Sequence, residues 1–346
     1  MAKGVGANGP AVGFVRGFAA LLLSCALAGC EPALERFEGP TMGSRYSVQY
    51  VGVAGLPSRD ALQGEVETIL GQIDRDFSTY RGDSQVSRFN AAPAGTCQAM
   101  PDEVLELARA GAALSRESDG AFDLTLEPLL DLWGFGPQSR GERVPTPAEI
   151  DAVRQRVGHR HLRIEARALC KDVALQLDFN AIAAGYTVDR VAARLEALGV
   201  KNFLVEITGE LKAQGHRPDG SPWRIGIEAP HADRREAQRR LALDGQGVST
   251  SGDYRHYFER DGRRYSHTLD PATGAPIRHA LASVTVVAPS ALRADGLSTL
   301  LMVLGPRRGL AYAERQGIAA LFVSHEGEGF VERASSAFDR LPVAGP

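Results

Sequence analysis

Cysteine is scarce in this chain, at four residues in 346, and so are methionine, with four, and tryptophan, with two. Four cysteines are too few to build a disulfide-stapled scaffold. A dominant charge is also missing, because 39 Lys and Arg stand against 42 Asp and Glu, a formal net charge of −3. Without a basic field, nucleic-acid binding loses its electrostatic footprint, and no nucleic-acid partner is expected. Long hydrophobic runs are absent too: the N-terminal one covers residues 17–29, whereas a bilayer-spanning helix needs about 20 residues. What is present, 44% hydrophobic and 23% charged residues, is ordinary globular composition and excludes disordered, collagen-like and polytopic membrane classes.

Residues 1–29 carry Lys3 and Arg16, no acidic residue, and then that short apolar run. A length within about 7–15 residues fits a signal-peptide core. The run ends Leu27-Ala28-Gly29-Cys30, which resembles a bacterial lipobox, with Cys30 as the lipidated N-terminus of the mature chain. An ordinary signal peptide with a chance cysteine is the other reading. The lipobox implies a lipid anchor on the periplasmic side of the cell envelope, at the inner or outer membrane. Residues 30–37 then form a tether, and residues 38–343 form the folded domain. Loss of the signal also removes Cys25, leaving Cys97 and Cys170 either paired or as two free thiols.

The mature chain mixes strand and helix patterns. Residues 45–53 and 203–207 read as strands, as do 223–227, 283–288 and 320–324. Helical spacing of apolar residues marks 62–73, 101–115 and 186–198, the last stopped by Gly199. A final helix is expected at about 294–303. The order is not a βαβα alternation, so the expected fold is a single large α+β domain with mostly antiparallel sheets and flanking helices.

Six segments carry polar or glycine-rich chemistry. Thr41-Met42-Gly43 precedes the first strand, and Gly43 allows close backbone approach to a ligand. Residues 77–90 include Tyr80 in a polar loop. Residues 120–136 set Phe122, Trp133 and Phe135 among glycines, suited to a flat heterocycle or to a core corner. Asp178-Phe179-Asn180-Ala181 opens a helix whose free N–H groups suit phosphate. His267 lies three residues before Asp270-Pro271, where the carboxylate can orient it as a base, or the histidine can simply cap its own turn. Asp295 and Thr299 are four apart, on one face of a helical turn, and make half of a hard-cation site.

In combination and order these segments resemble the FAD:protein FMN transferase family, the ApbE type, also called thiamine-biosynthesis lipoproteins. The matching stretches are TMGSRYSV, STYRGDSQVSRFN, GAFDLTLEPLLDLWGFG, LDFNAIAAGYTVDRVAARL, GVSTSGDYRHYF, SHTLDPATGAP and ADGLSTLLMVLG. The resemblance implies a fold related to the T-fold, FAD as substrate, Mg²⁺ as cofactor, and transfer of FMN to a threonine of an acceptor protein with release of AMP. Acceptors are electron-transfer proteins carrying a Ser/Asp-Gly-Ala/Ser-Thr type motif. It implies FAD contacts at Met42, Tyr80, Ala121, Phe122, Asp123, Asp178 and Leu269, and Mg²⁺ ligands at the Ala181 carbonyl, Asp295 and Thr299. His267, with Asp270 behind it, is the implied base. FAD hydrolysis to FMN and AMP, or flavin binding without turnover, are the alternatives. The chain departs from the family at Ala184, where a lysine is usual, at Thr208-Gly209, usually Gly-Gly, and at Gly296, usually alanine.

Overall fold

One eight-stranded antiparallel sheet organises the chain, and its strands lie side by side in the order in which they occur in the sequence. They are β1 (Ala33–Thr41), β2 (Ser44–Gly52), β3 (Phe203–Ile207), β4 (Glu210–Gln214), β5 (Gly247–Gly252), β6 (Leu281–Ala288), β7 (Ala319–Glu326) and β8 (Gly329–Ala334). Among the described residues, seven α-helices accompany them: α1 (Arg59–Phe77), α2 (Gln85–Ala91), α3 (Asp102–Glu117), α4 (Glu127–Trp133), α5 (Pro147–Arg154), α6 (Ala183–Ala197) and α7 (Ala291–Gln316). This computed structural model describes residues 32–230, 237–253 and 256–343, with Met1, Gly6 and Gly9 besides. The expected lipidation site Cys30, the rest of the expected signal segment and Tyr254 lie outside the described residues. Among the described residues, no helix is long and apolar enough to cross a membrane.

Both faces of the sheet are covered. On one, Leu62, Val66 and Leu70 of α1 and Val188, Val191 and Leu195 of α6 pack on Tyr46, Val48 and Tyr50 of β2. Farther along, Leu297, Leu300 and Leu301 of α7 meet Val284, Val286 and Phe322. The other face is closed by the hairpin Trp223–Glu228/Ala237–Leu243, which sets Trp223, Ile225 and Leu241 against Val248, Val287 and Leu321. Burial from both sides explains why β6 is apolar on both faces apart from Ser283 and Thr285, since every one of its residues is buried.

Two expectations need correction, and one open reading is settled. Residues 33–37 are not tether, because β1 pairs with β2 from Ala33↔Gly52 onward. Only Phe37 of that strand is fully buried, so this edge strand carries almost no hydrophobic alternation to read. The final helix opens a few residues before 294, and a second helical segment follows it to Gln316. It starts at the Ser290 cap and breaks only at Gly305, whose φ of 74° glycine alone tolerates readily, and at Pro306, which has no N–H to give. Of the two readings of residues 120–136, the core corner holds for Trp133. It is buried with Leu129, Phe258 and Leu269, and its Nε1–H donates to the Gly274 carbonyl at 2.9 Å.

Cys97 and Cys170 face each other across the antiparallel pair Cys97–Ala99/Ala168–Lys171 with Cα atoms 4.0 Å apart, and they form a disulfide. Next to it, buried Lys171 donates to the carbonyls of Phe89, Asn90 and Leu175. The Asn90 side chain in turn holds both backbone groups of Leu177. The residues leading into Asp178 are therefore fixed by side chains instead of by a sheet ladder.

Candidate active site

The site is built where α6 crosses α7. A helix start leaves N–H groups without partners, and Ile182 at the cap position of α6 offers no side-chain acceptor. Asp295 of α7 supplies it: Oδ2 accepts the Gly185 N–H at 2.9 Å. Asp189 of α6 returns the favour, accepting from the N–H groups of Ala291 (3.1 Å) and Leu292 (2.9 Å) at the start of α7. A side chain on residue 185 would stand 2.7 Å from the Asp295 Cβ and collide with the Ala291 carbonyl, so this crossing requires glycine.

Beneath α7 lies β5. Its Ser249 and Ser251 turn toward the helix, where Ser249 Oγ is 3.1 Å from Ser298 Oγ and Ser251 Oγ is 3.3 Å from Thr299 Oγ1. Ser249 also stands between two carboxylates, 3.5 Å from Asp295 Oδ1 and 3.4 Å from Glu210 Oε1. Burial pushes the carboxyls of both Asp295 and Glu210 above the ordinary carboxylate range, and the neighbouring Glu210 raises Asp295 further. Sequence reading missed Glu210, because a charged residue after a tight turn looks like ordinary surface.

These groups share a cleft of about 330 Å³. Ala181, Asp295, Thr299, Glu210, His267, Asp178, Ala121, Phe122, Asp123 and Leu269 all line it. Met42 and Tyr80 do not. Met42 holds the β1–β2 turn at φ 47°, and Tyr80 is 72% exposed. Tyr80 nonetheless stands near enough to the acidic wall for burial, Asp178, Glu127 and Asp131 to raise its phenol. Ala184, where the family lysine is replaced, is buried on the first turn of α6 and is not part of the cleft wall.

His267 is held by the His256 carbonyl, 3.0 Å from Nδ1. A carbonyl only accepts, so Nδ1 carries the proton and Nε2 keeps its lone pair. Burial lowers the ring's pKa below 6.5, so the imidazole is neutral at pH 7. Asp270 does not do the orienting. Its Oδ1 accepts the Ala272 N–H at 2.9 Å, closing the Asp-Pro turn, and the residue lines a neighbouring groove of about 1100 Å³ instead. Asp123 is also spoken for: its oxygens accept from Thr125 and from the His159 N–H.

Two further acids surround Asp178. Burial, with help from Asp178 and Asp131, pushes Glu127 up to about 9, and its Oε2 has no hydrogen-bond partner. Asp178 rises to about 6, chiefly through burial, although it accepts the Asn180 N–H at 2.7 Å.

The donor set is all hard oxygen: one buried carboxylate, a hydroxyl and a backbone carbonyl opening on one cleft. Such a set suits a small divalent cation, so the residues present fit Mg²⁺. Among the described residues, the one cluster of three Cys, His or acidic side chains is Cys97, Glu165 and Cys170, and its sulfurs are joined to each other.

Fold and cleft together define the class. The ApbE family model matches residues 42–322, and the chain belongs to that family. Its relatives are FAD:protein FMN transferases. The Vibrio cholerae protein of that name is 44% identical over 323 residues, covering 92% of this chain and 96% of its own length. The Salmonella typhimurium one is 41% identical over 322 residues, covering 90% and 91%. Among solved structures, the apo form of the Pseudomonas stutzeri flavinyl transferase ApbE matches with a TM-score of 0.86 and 65% identity, covering 91% of this chain and 98% of that one.

Proposed function

We propose that this chain is an FAD:protein FMN transferase that uses Mg²⁺, transfers FMN to a threonine of an acceptor protein and releases AMP. The observation that carries the reading is the single cleft shared by the neutral His267 Nε2 and the hard-oxygen set of Asp295, Thr299 and the Ala181 carbonyl. Those three residues would hold the cation, which when bound offsets the negative charge that builds on the pyrophosphate oxygens.

His267 takes the proton of the acceptor hydroxyl at Nε2, while Nδ1–H stays on the His256 carbonyl and keeps the ring in place. The hydroxyl oxygen then bonds to the flavin-side phosphorus. The bond from that phosphorus to the bridging oxygen breaks, and AMP leaves with the bridging oxygen. Ala121, Phe122, Asp123, Asp178 and Leu269 are the proposed FAD contacts in the cleft, with Met42 and Tyr80 reaching the ligand from outside its walls. The acceptors are electron-transfer proteins with a Ser/Asp-Gly-Ala/Ser-Thr type motif.

Incubation with FAD, Mg²⁺ and a Ser-Gly-Ala-Thr peptide tests the reading. AMP release together with a flavinylated peptide supports it. AMP and free FMN without peptide labelling means a pyrophosphatase, and neither product means a flavin-binding protein. Asp295→Ala should abolish the Mg²⁺-dependent AMP release while leaving the circular dichroism spectrum intact.

The lipobox supports a periplasmic location, anchored to the envelope through Cys30. Cys30→Ser should leave the chain unlipidated and out of the membrane fraction. Wild-type protein cleaved elsewhere, with a free N-terminus, would refute the anchor.

A further inference from the structure

We propose that Glu210 is a further ligand of the divalent cation, so that two carboxylates from different layers, Glu210 from the sheet and Asp295 from α7, would share the ion. The inference rests on the Mg²⁺ reading above and extends its ligand set.

Glu210 opens β4 directly after the turn Thr208-Gly209, whose φ values of 57° and 118° bring the chain back tightly on itself. That turn sets the Glu210 side chain in the cleft wall with Asp295, Thr299 and Ala181. Thr208 Oγ1 donates to Glu210 Oε2 at 2.7 Å. The other oxygen, Oε1, is 3.4 Å from Ser249 Oγ, and that same hydroxyl is 3.5 Å from Asp295 Oδ1 and 3.1 Å from Ser298 Oγ.

A serine hydroxyl has one proton. It can donate to Glu210 or to Asp295 but not to both at once, so this hydroxyl does not serve the two carboxylates together. Among the described residues, no Lys, Arg or His is paired with either carboxylate. The nearest basic residue along β4, Lys212, is 3.3 Å from Asp189 instead. A buried and a half-buried carboxylate placed side by side repel each other when both are charged, a cost that a bound cation offsets.

The cost of that arrangement gives the experiment two readouts. Isothermal titration with MgCl₂, and thermal melts with and without MgCl₂, are run on the wild type, Glu210→Gln and Asp295→Asn. Glu210→Gln is expected to weaken Mg²⁺ binding about 10–100-fold. It should also melt no lower than wild type without metal and gain less from added Mg²⁺. Glu210→Asp, which keeps the charge on a shorter stem, should recover part of the affinity and stands in if the glutamine variant fails to fold. An Mg²⁺ affinity and melting gain equal to wild type in Glu210→Gln, with both lost in Asp295→Asn, overturns the role of Glu210 alone. If Asp295→Asn also binds Mg²⁺ normally, the metal site itself is misplaced and the underlying reading falls with it.

Discussion

Asp295 Oδ2 accepts the N–H of Gly185 at 2.9 Å, so an acid on one helix caps the start of another 110 residues away in sequence. The contact welds α6 to α7 and aims the remaining Asp295 oxygen toward Ser249 and the cleft. The packing around it leaves no room for a methyl group.

Gly185→Ala should therefore force the helices apart. Overpacking of this kind costs about 1–3 kcal/mol, and the displaced Asp295 should lose Mg²⁺-dependent turnover as well. Thermal melts and AMP-release assays on the variant check both. An alanine variant with wild-type melting and turnover would show that the crossing is loose.

As the proposed base, His267 should set the acid limit of activity. Burial holds its pKa below the ordinary 6.5, and the base works only when neutral. Activity should thus persist as pH falls past 6.5 and decline only below that, at the depressed value. His267→Ala should reduce transfer about 10²–10⁴-fold and remove this acid limb. A pH–rate profile of FMN transfer, wild type against variant, reads both effects.

Glu127 makes stability depend on pH. Its folded pKa is raised from 4.5 to about 9, first by burial and then by Asp178 and Asp131. The folded chain keeps a proton that the unfolded chain releases, so the stability is fully present below about pH 4.5 and is lost as pH rises toward 9. The loss is up to about 1 kcal/mol per pH unit. Glu127→Gln has no proton to keep. Its melting temperature should exceed that of wild type at pH 8, by at least about 2–4 °C, and the gap should close near pH 5. Differential scanning calorimetry across that range is the measurement.

The disulfide closes a loop with a sequence separation of 73. Chain-entropy arguments assign such a loop about 4 kcal/mol. Cys97→Ala, or reduction of the wild type, should lower the melting temperature by several degrees. Loosening the segment that Lys171 and Asn90 brace ahead of Asp178 should also weaken FAD binding, read by flavin fluorescence.

Much of the architecture was legible because burial in this fold is one-sided or complete where the pattern said so. The stripe Val188, Val191, Leu195 marks α6 since that helix packs a single face on the sheet, and β3 matches its expected limits of 203–207. By contrast β5, with sequence GVSTSG, shows no apolar alternation. Its inward residues are serines that bond to α7 hydroxyls rather than to a hydrophobic layer. A strand whose partner is polar looks like a loop until the partner is known.

The sequence by itself determined the antiparallel α+β class, most helices and central strands, and the family through seven ordered segments. It also put Asp295, Thr299 and His267 among the candidates, since local spacing and residue chemistry are written along the chain. Only the tertiary structure decided that Cys97 and Cys170 face each other, that the His256 carbonyl rather than Asp270 holds His267, and that Glu210 stands across Ser249 from Asp295. Each of these depends on which atoms the sheet register and the α6–α7 crossing bring within hydrogen-bond reach. Residues 46, 85 and 110 positions apart have no local pattern that records their meeting; it exists only once the backbone has closed.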